Sequence, residues 1–349
     1  MKKHLNTLYV TTQNAYLFKE GQSVVVRVEK ENRLRLPIHT LDGIVCFGAI
    51  SMSPFLMYHC AENNVAVSFL SLYGKFLARI QGPVSGNVLL RREQYRVADH
   101  PEAASNIARN MLLGKIANTR AVLRRAIRDH GKNESHPQRS GFQGLEKNEK
   151  RLTQYLQRLE KPMPLDQLRG NEGEAAASYF SAFPNLITIQ DEAFAFTGRN
   201  RRPPTDPINA LLSFTYTLLV HDCRSALEGV GLDPCVGYLH TDRPGRPSLA
   251  LDLMEEFRAF LADRLVLSLI NRRQIQSKDF NDSAGGAVTM TDDARKTLLT
   301  TWQKRKQDEI THPYLGEKCK IGLLPHLQAQ LLARHLRGDL EAYPPFIWK

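Results

Sequence analysis

Three separated segments of the sequence carry side chains suited to binding a divalent cation. The first holds Glu172, the second ends in His240, and the third carries Asp252 and Glu255, three residues apart. Carboxylate oxygens with one imidazole nitrogen suit Mg²⁺ or Mn²⁺ better than structural zinc, which prefers cysteine and histidine. Such an ion polarises a phosphate and stabilises an attacking or leaving oxygen, which is the chemistry of phosphodiester cleavage and joining.

Each of these residues also has a purely structural interpretation. Glu172 sits at the predicted start of a helix, where the helix dipole stabilises a carboxylate. His240 is either a structural hydrogen-bonding residue or a ligand or proton-transfer group. Asp252 and Glu255 project from neighbouring positions on one helix face, and the alternative for them is a solvated acidic stripe. Spacing alone does not bring the three segments together.

Arginine-rich turns are the candidates for binding phosphate groups. Residues 199–207 combine arginines with prolines, which hold the chain extended so that the arginines project as a clamp. A second basic turn, residues 242–247, follows the candidate histidine. Asn209, near the start of the next predicted helix, either points into the site or helps to cap that helix. The candidate phosphate-binding residues in the two turns are Arg199, Arg202, Arg243 and Arg246.

Composition limits the class of protein. The formal net charge of +11 favours a polyanionic partner such as nucleic acid or an anionic surface. The sequence has no P-loop, GxGxxG, GxSxG or HExxH motif. No apolar run approaches 18 residues, so no membrane-spanning helix is expected. The five cysteines are scattered, without a CxxC pair, and there is no secretory signal, so we expect a reducing, cytoplasmic location.

The elements that position these residues change in character along the chain. Short apolar and β-branched runs separated by turn residues predict strands in the first ninety or so residues, with one helix near residues 54–60 and a hairpin at residues 73–80. Apolar residues at helical spacing follow from about residue 103, with polar loops predicted at residues 131–144 and 279–291. The sequence predicts an α+β protein with a small N-terminal β-rich domain, residues 1–95, and a larger all-α C-terminal domain, residues 96–349.

The ordered motifs resemble those of the CRISPR-associated spacer-acquisition integrase family. Residues 171–173 (NEG), 237–240 (GYLH) and 251–255 (LDLME) are similar to its three metal-site segments. Residues 198–212 (GRNRRPPTDPINALL) resemble its arginine-proline segment and following helix. Residues 70–96 resemble its β-to-helix junction, most like subtype I-C members. The resemblance covers nearly the whole chain, and the motifs are specific when taken together in this order.

The resemblance implies a function, partners and roles for the residues. Glu172, His240 and Glu255 are the expected catalytic metal ligands for Mg²⁺ or Mn²⁺, with Asp252 as a supporting acid. The implied enzyme is a metal-dependent DNA endonuclease and integrase that inserts prespacer DNA into the CRISPR array. The implied partners are double-stranded and branched DNA, a second copy of the chain, and the small ferredoxin-like second adaptation protein, in a heterohexamer.

Two other functions remain open at the level of sequence. A non-catalytic scaffold that bridges or bends DNA within the acquisition complex uses the same basic patches, but it has no use for an acid–histidine set. A general metal-dependent RNA nuclease differs in its substrate.

Overall fold

A computed structural model describes residues 6–82, 88–130, 139–200, 203–283 and 285–348. These residues fall into two compact units. The first takes the described residues up to 82 together with Leu299–Glu309 and Lys320–Leu323, and the second takes the rest. The structure confirms the α+β class, with a β-rich N-terminal part followed by a helical C-terminal part.

The N-terminal part of the first unit contains two four-stranded sheets and one helix. Its elements are β1 (Thr7–Val10), β2 (Tyr16–Glu20), β3 (Ser23–Val28), β4 (Glu31–Pro37), β5 (Gly43–Phe47), β6 (Ser51–Met52), α1 (Pro54–Glu62), β7 (Ala66–Leu70) and β8 (Phe76–Ile80). One sheet has the order β1-β5-β7-β8, with only β8 antiparallel to its neighbour, and the other has the order β4-β3-β2-β6. The predicted hairpin is confirmed as β7–β8.

Local sequence explains most of these elements. β5 is buried on both faces, as expected for an inner parallel strand of continuous apolar residues. α1 starts where Ser53 Oγ accepts the Leu56 backbone N–H, with Pro54 in the first helical turn. An apolar core that includes Leu17, Ile44 and Leu56 lies within this unit.

The second unit is built mainly from helices. Its elements are α2 (Val88–Asp99), α3 (Pro101–His130), α4 (Arg139–Arg158), α5 (Leu165–Ala182), α6 (Pro207–Gly229), α7 (Ser248–Met254), a π-helical turn (Arg258–Asp263), α8 (Arg264–Asn271), β9 (Phe280–Asp282), β10 (Val288–Met290) and α10 (Leu324–Leu336). α9 (Asp292–Gln307) and the pair β11 (Glu309–Thr311) and β12 (Lys318–Lys320) divide between the units. α3 packs against α2, α4, α5, α7 and the π-helical turn, so it is the centre of this unit.

The structure differs from the sequence-based predictions in two loops. The predicted loop at residues 131–144 is wrong for its last part, because α4 begins at Arg139, and residues 131–138 lie outside the described residues. The predicted loop at residues 279–291 contains the hairpin β9–β10. The predicted domain boundary between residues 95 and 96 falls within α2, and a division of the chain there remains a prediction. Within the described residues, no helix combines the length and the apolar character needed to cross a bilayer.

Candidate metal centre

Glu172 lies on the buried stripe of α5. Because α5 begins at Leu165, Glu172 is well inside the helix, and the prediction that it marks the helix start is wrong. Leu168, Ala175 and Tyr179 are buried, and Glu172 continues their spacing of three or four residues. The helix dipole acts on charges in the first turn, so dipole compensation does not explain this carboxylate.

Lys115, on α3, joins two of the predicted ligands. Its side chain is 10% exposed, and its Nζ contacts Glu172 Oε1 and lies 2.8 Å from Glu255 Oε2. The sequence carried a signal for this residue, because Met111, Lys115 and Asn118 follow helical spacing on the buried side of α3. A lysine within an apolar stripe needs a partner when it is buried. Lys115 thus belongs to the site, although the motifs did not include it.

Glu255 follows α7 directly and is almost completely buried. Burial alone raises its pKa, but Arg258, Lys115 and His240 together outweigh burial and bring the pKa to about 2. Its Oε1 lies 2.8 Å from Arg258 Nη1. Its Oε2 faces Lys115 as an ion pair, but no described group gives that oxygen a hydrogen bond of normal geometry. Glu255 is therefore an ionised carboxylate, and the alternative of a solvated acidic stripe is excluded.

Asp252 fixes the loop that carries His240. Its Oδ1 lies 2.6 Å from His240 Nδ1 and accepts the His240 backbone N–H at 3.0 Å. Its Oδ2 accepts the backbone N–H groups of Tyr238 and Leu239 at 2.6 and 2.9 Å. Since Nδ1 is engaged by a carboxylate, Nε2 is the ring nitrogen left to bind a ligand, which is the usual arrangement of metal-binding histidines.

Gly237 permits the close approach of this loop to α7. A Cβ at residue 237 would lie 2.8 Å from Asp252 Oδ2 and 2.8 Å from the carbonyl carbon of Ser248. The loop is also held from the other side by the buried side chain of Gln94, on α2. Its Nε2 donates to the carbonyl oxygens of Asp233 and Val236, and its Oε1 accepts the Asp233 N–H. The position of His240 thus depends on backbone contacts well outside its own motif.

The π-helical turn places Arg258 and Asp263 beside a small recess of about 40 Å³. Asp263 accepts hydrogen bonds from Tyr216 Oη at 2.6 Å and from Tyr179 Oη at 3.0 Å. Burial raises the pKa of Asp263 to about 6, although these hydrogen bonds lower it. Lys115 and Glu172 also line the recess, so it adjoins the candidate metal ligands. No sequence pattern marked this turn.

The arginine candidates have different surroundings. Arg199 folds back: it donates to Asn209 Oδ1 and to Ser213 Oγ and lies over the Tyr216 ring at 5.2 Å. Arg243 is exposed, and Arg246 is half-buried beside the Thr241 carbonyl group at 3.5 Å. Arg202 lies outside the described residues. Phosphate binding by these four residues remains a prediction.

Asn209 holds the arginine-proline segment in place. Its Nδ2 donates to Gly198 O at 2.8 Å and to Asp206 Oδ2 at 2.6 Å, and its Oδ1 also accepts the Asn200 N–H. The cap of α6 is instead Asp206, which accepts the Asn209 backbone N–H. Asn209 therefore shapes the loop that places Arg199.

The donor types at the site, two carboxylates and one imidazole, suit a hard divalent cation. Two carboxylates from α5 and the end of α7 converge on one positive charge, and an imidazole oriented by Asp252 lies close enough to lower the pKa of Glu255. In the part of the chain that the structure describes, no three His, Cys, Asp or Glu side chains stand in position to hold a metal ion. Between Glu172 and Glu255 stands the Lys115 ammonium, a cation in contact with both.

Known proteins resemble this chain in sequence and in fold. The model of the family described as CRISPR associated protein Cas1 matches residues 8–304. The CRISPR-associated endonuclease Cas1 1 of Chlorobaculum tepidum is 56% identical over 349 residues, 100% of each chain. A casposase bound to integration product shares the fold with a TM-score of 0.82 at 23% identity, covering 99% of this chain and 95% of that one. A Cas6-RT-Cas1–Cas2 complex matches with a TM-score of 0.82 at 21% identity, and the match covers 99% of this chain and 36% of the matched chain.

Proposed function

The chain belongs to the Cas1 family of CRISPR-associated proteins, and from that premise we propose that it is a metal-dependent DNA integrase and endonuclease of CRISPR adaptation. The observation that carries the proposal is the convergence of Glu172 and Glu255 on one cation, beside an imidazole oriented by a buried carboxylate. The relative from Chlorobaculum tepidum is named an endonuclease, which supports the same reaction class for this chain.

The proposed reaction is attack by a prespacer 3′-hydroxyl on a phosphodiester at the leader–repeat boundary. Water as the nucleophile would instead give cleavage of branched DNA. Glu172, His240 and Glu255 would hold Mg²⁺ or Mn²⁺, which supplies Lewis-acid stabilisation of the charge on the phosphate oxygens. Asp252 keeps the imidazole in one orientation through Nδ1. Arg258 keeps Glu255 ionised, so that this ligand is ready to bind at neutral pH.

The substrate and the assembly are part of the same proposal. The net charge of +11 and the exposed Arg243 support binding to the DNA backbone, so affinity should fall steeply with salt. Arg199, Arg202 and Arg246 are proposed as further phosphate contacts. We propose that the chain works as a homodimer joined by the small second adaptation protein in a heterohexamer, in the cytoplasm of a cell with a subtype I-C system. The Cas2 partner in the Cas6-RT-Cas1–Cas2 complex supports this assembly.

The burial of the acid–histidine set favours the enzyme over a non-catalytic scaffold. A DNA-bridging scaffold needs exposed basic residues, whereas Asp252 and Glu255 are buried and Glu255 is held ionised at a cost in desolvation. Such a cost is typical of active sites, where buried charges are arranged for chemistry. A scaffold would show no joining or cleavage of DNA that depends on Mn²⁺.

The test compares two glutamates on one helix. The full-length chain is incubated with Mn²⁺, a duplex with free 3′-hydroxyls and a supercoiled plasmid that carries a CRISPR repeat, with and without the second adaptation protein. Glu172→Gln should lower strand joining by about 10²–10⁴-fold, since metal stabilisation of the transition state contributes several kcal/mol. Glu174→Gln is the matched control, since Glu174 lies on the surface of α5 and pairs with Arg158. Equal joining by Glu172→Gln and the wild type would contradict the proposal.

A further inference from the structure

Lys115 occupies the place between two carboxylates that a divalent ion would need. We propose that Lys115 is an internal counter-ion, which holds Glu172 and Glu255 together in the metal-free protein and competes with the divalent ion for both. The inference rests on the proposed metal site, and it adds a residue that sets how tightly the site binds its ion.

The geometry excludes a simple surface ion pair. The Lys115 side chain is 10% exposed and Glu255 is 1% exposed, so solvent screens this contact little. Lys115 comes from the middle of α3, a helix of 30 residues, and its carbonyl oxygen accepts Thr119 Oγ1 at 2.8 Å. The backbone of Lys115 is thus fixed in a long helix, and only the flexible side chain is able to leave the gap.

The two carboxylates depend on Lys115 to different degrees. Glu255 has a second cation, because Arg258 Nη1 lies 2.8 Å from its other oxygen. Glu172 has no ion-pair partner within 4 Å other than Lys115 among the residues that the structure describes. Without Lys115, a buried carboxylate and a half-buried one would face each other across the gap. Two carboxylates close enough to share one ammonium repel each other strongly where water is excluded.

The Lys115 ammonium and a divalent ion compete for the same two carboxylates. Lys115 and Arg258 already neutralise Glu172 and Glu255 in the metal-free protein. Lys115 Nζ contacts both carboxylates, so an ion coordinated by Glu172 and Glu255 together would take the place of the ammonium and meet its repulsion. In this proposal metal binding displaces the Lys115 ammonium, and the free energy of breaking its two ion pairs weakens the binding of the metal ion.

The test measures metal affinity directly. Free Mn²⁺ is followed by electron paramagnetic resonance during titration of the full-length wild type, Lys115→Met, Lys115→Gln and Lys115→Arg. Arg128→Met removes one positive charge from an exposed position on the same helix, so it controls for net charge. Lys115→Met and Lys115→Gln should bind Mn²⁺ at least about fivefold more tightly, while Lys115→Arg and Arg128→Met should stay near the wild type. Unchanged or weaker binding by both neutral variants would overturn the inference.

A second measurement uses the metal-free protein. In EDTA, Lys115→Met should lower the melting temperature by about 2–4 °C or more, because Glu172 loses its ion-pair partner and faces the Glu255 carboxylate, which keeps Arg258. Adding Glu172→Gln to Lys115→Met should recover part of that loss, since one repelling charge is removed. A Lys115→Met melting temperature equal to that of the wild type would overturn the inference.

The two proposals fail in different ways. The inference alone fails when the wild type binds Mn²⁺, Glu172→Gln weakens that binding, and the neutral Lys115 variants bind no more tightly than the wild type. If Glu172→Gln binds Mn²⁺ as tightly as the wild type, the metal site itself is wrong, and the counter-ion role is overturned with it.

Discussion

Glu255 and Glu256 are neighbours in sequence and are both buried, yet their surroundings are opposite. Glu255 faces two cations, Lys115 and Arg258, which bring its pKa to about 2 against the effect of burial. Glu256 faces neutral donors instead: Tyr343 Oη at Oε1, and Gln328 Nε2 and the Phe346 N–H at Oε2. Burial raises the pKa of Glu256 to about 8, although these hydrogen bonds lower it.

The surroundings of Glu255 suit a role in the candidate metal centre, whereas those of Glu256 suit a role in folding. Glu255 is charged, has an oxygen without a hydrogen bond, and lies in the candidate metal centre. Both side-chain oxygens of Glu256 accept hydrogen bonds from protein groups, and these bonds attach residues 343–346 to the helical core. Asn118 Nδ2 reinforces the attachment by donating to the carbonyl oxygens of Glu256 and Phe346. Burial alone therefore does not decide the charge of a carboxyl group; the charges of its neighbours decide it.

The largest expected effect is on activity. Glu255→Gln should lower Mn²⁺-dependent strand joining by about 10²–10⁴-fold, because it removes a proposed ligand. Glu256→Gln, one residue away, should stay within about threefold of the wild type at a temperature where both variants are folded. The measurement is the rate of joining to a repeat-containing plasmid. Similar losses in the two variants would remove the distinction between the two glutamates.

The next effect is a pH dependence of stability from Glu256. The folded protein holds this proton more tightly than the unfolded chain, since the pKa rises from 4.5 to about 8 on folding. Its contribution is fully present below pH 4.5 and is lost as the pH rises through about 8. Relative to Glu256→Gln, the unfolding free energy of the wild type should fall by on the order of 4 kcal/mol over that range. Urea unfolding at several pH values measures it, and a constant difference would refute the raised pKa.

The contribution of Glu255 to the unfolding free energy should change with pH in the opposite direction, falling as the solution becomes more acidic. Its folded pKa of about 2 lies below its ordinary 4.5, so its contribution is present above pH 4.5 and is lost as the pH falls towards 2. In EDTA, the stability advantage of the wild type over Glu255→Gln should shrink by on the order of 3 kcal/mol over this range. Unfolding followed by circular dichroism at matched ionic strength tests this. An advantage that grows on acidification would contradict the ion pairs assigned to Glu255.

The smallest effect concerns the loop beside the charged glutamate. Gly237→Ala would place a methyl group against Asp252 Oδ2 and the backbone of Ser248, so we expect a loss of about 1–3 kcal/mol in unfolding free energy. The His240 ring should also shift, because Asp252 holds both the ring and the loop. The nuclear magnetic resonance signals of the imidazole report that shift. A variant with wild-type stability and an unmoved ring would show that the loop does not need the glycine.

The sequence predicts a metal site from short motifs around Glu172, His240 and Glu255, found through their resemblance to a family. The structure brings Glu172 and Glu255 to one lysine and holds His240 against Asp252, and metal binding by the three residues remains a prediction. Lys115 and Arg258 were missed because their roles come from tertiary contacts. Lys115 lies 57 residues from Glu172, and Arg258 lies in a π-helical turn that no periodic pattern marks.

The errors in secondary structure also have physical causes. The predicted helix start near Glu172 lies seven residues too late, because α5 begins at Leu165 and continues through Gly170 and Gly173, where an added Cβ would meet nothing within 4 Å. β4 (ENRLRLP) is not an apolar run, since it carries only Leu34 and Leu36 among charged residues, and six of its seven residues are exposed. The arginine-proline segment was expected to project its arginines, yet the buried Asn209 turns Arg199 inward.

The most direct test of the account is a crystal of the full-length chain soaked in Mn²⁺, with diffraction measured at the manganese absorption edge. We expect one anomalous peak within bonding distance of Glu172, Glu255 and Nε2 of His240, with the Lys115 ammonium displaced from between the carboxylates. A peak bonded to other residues, or none at Glu172 and Glu255 under conditions that support strand joining, would contradict it.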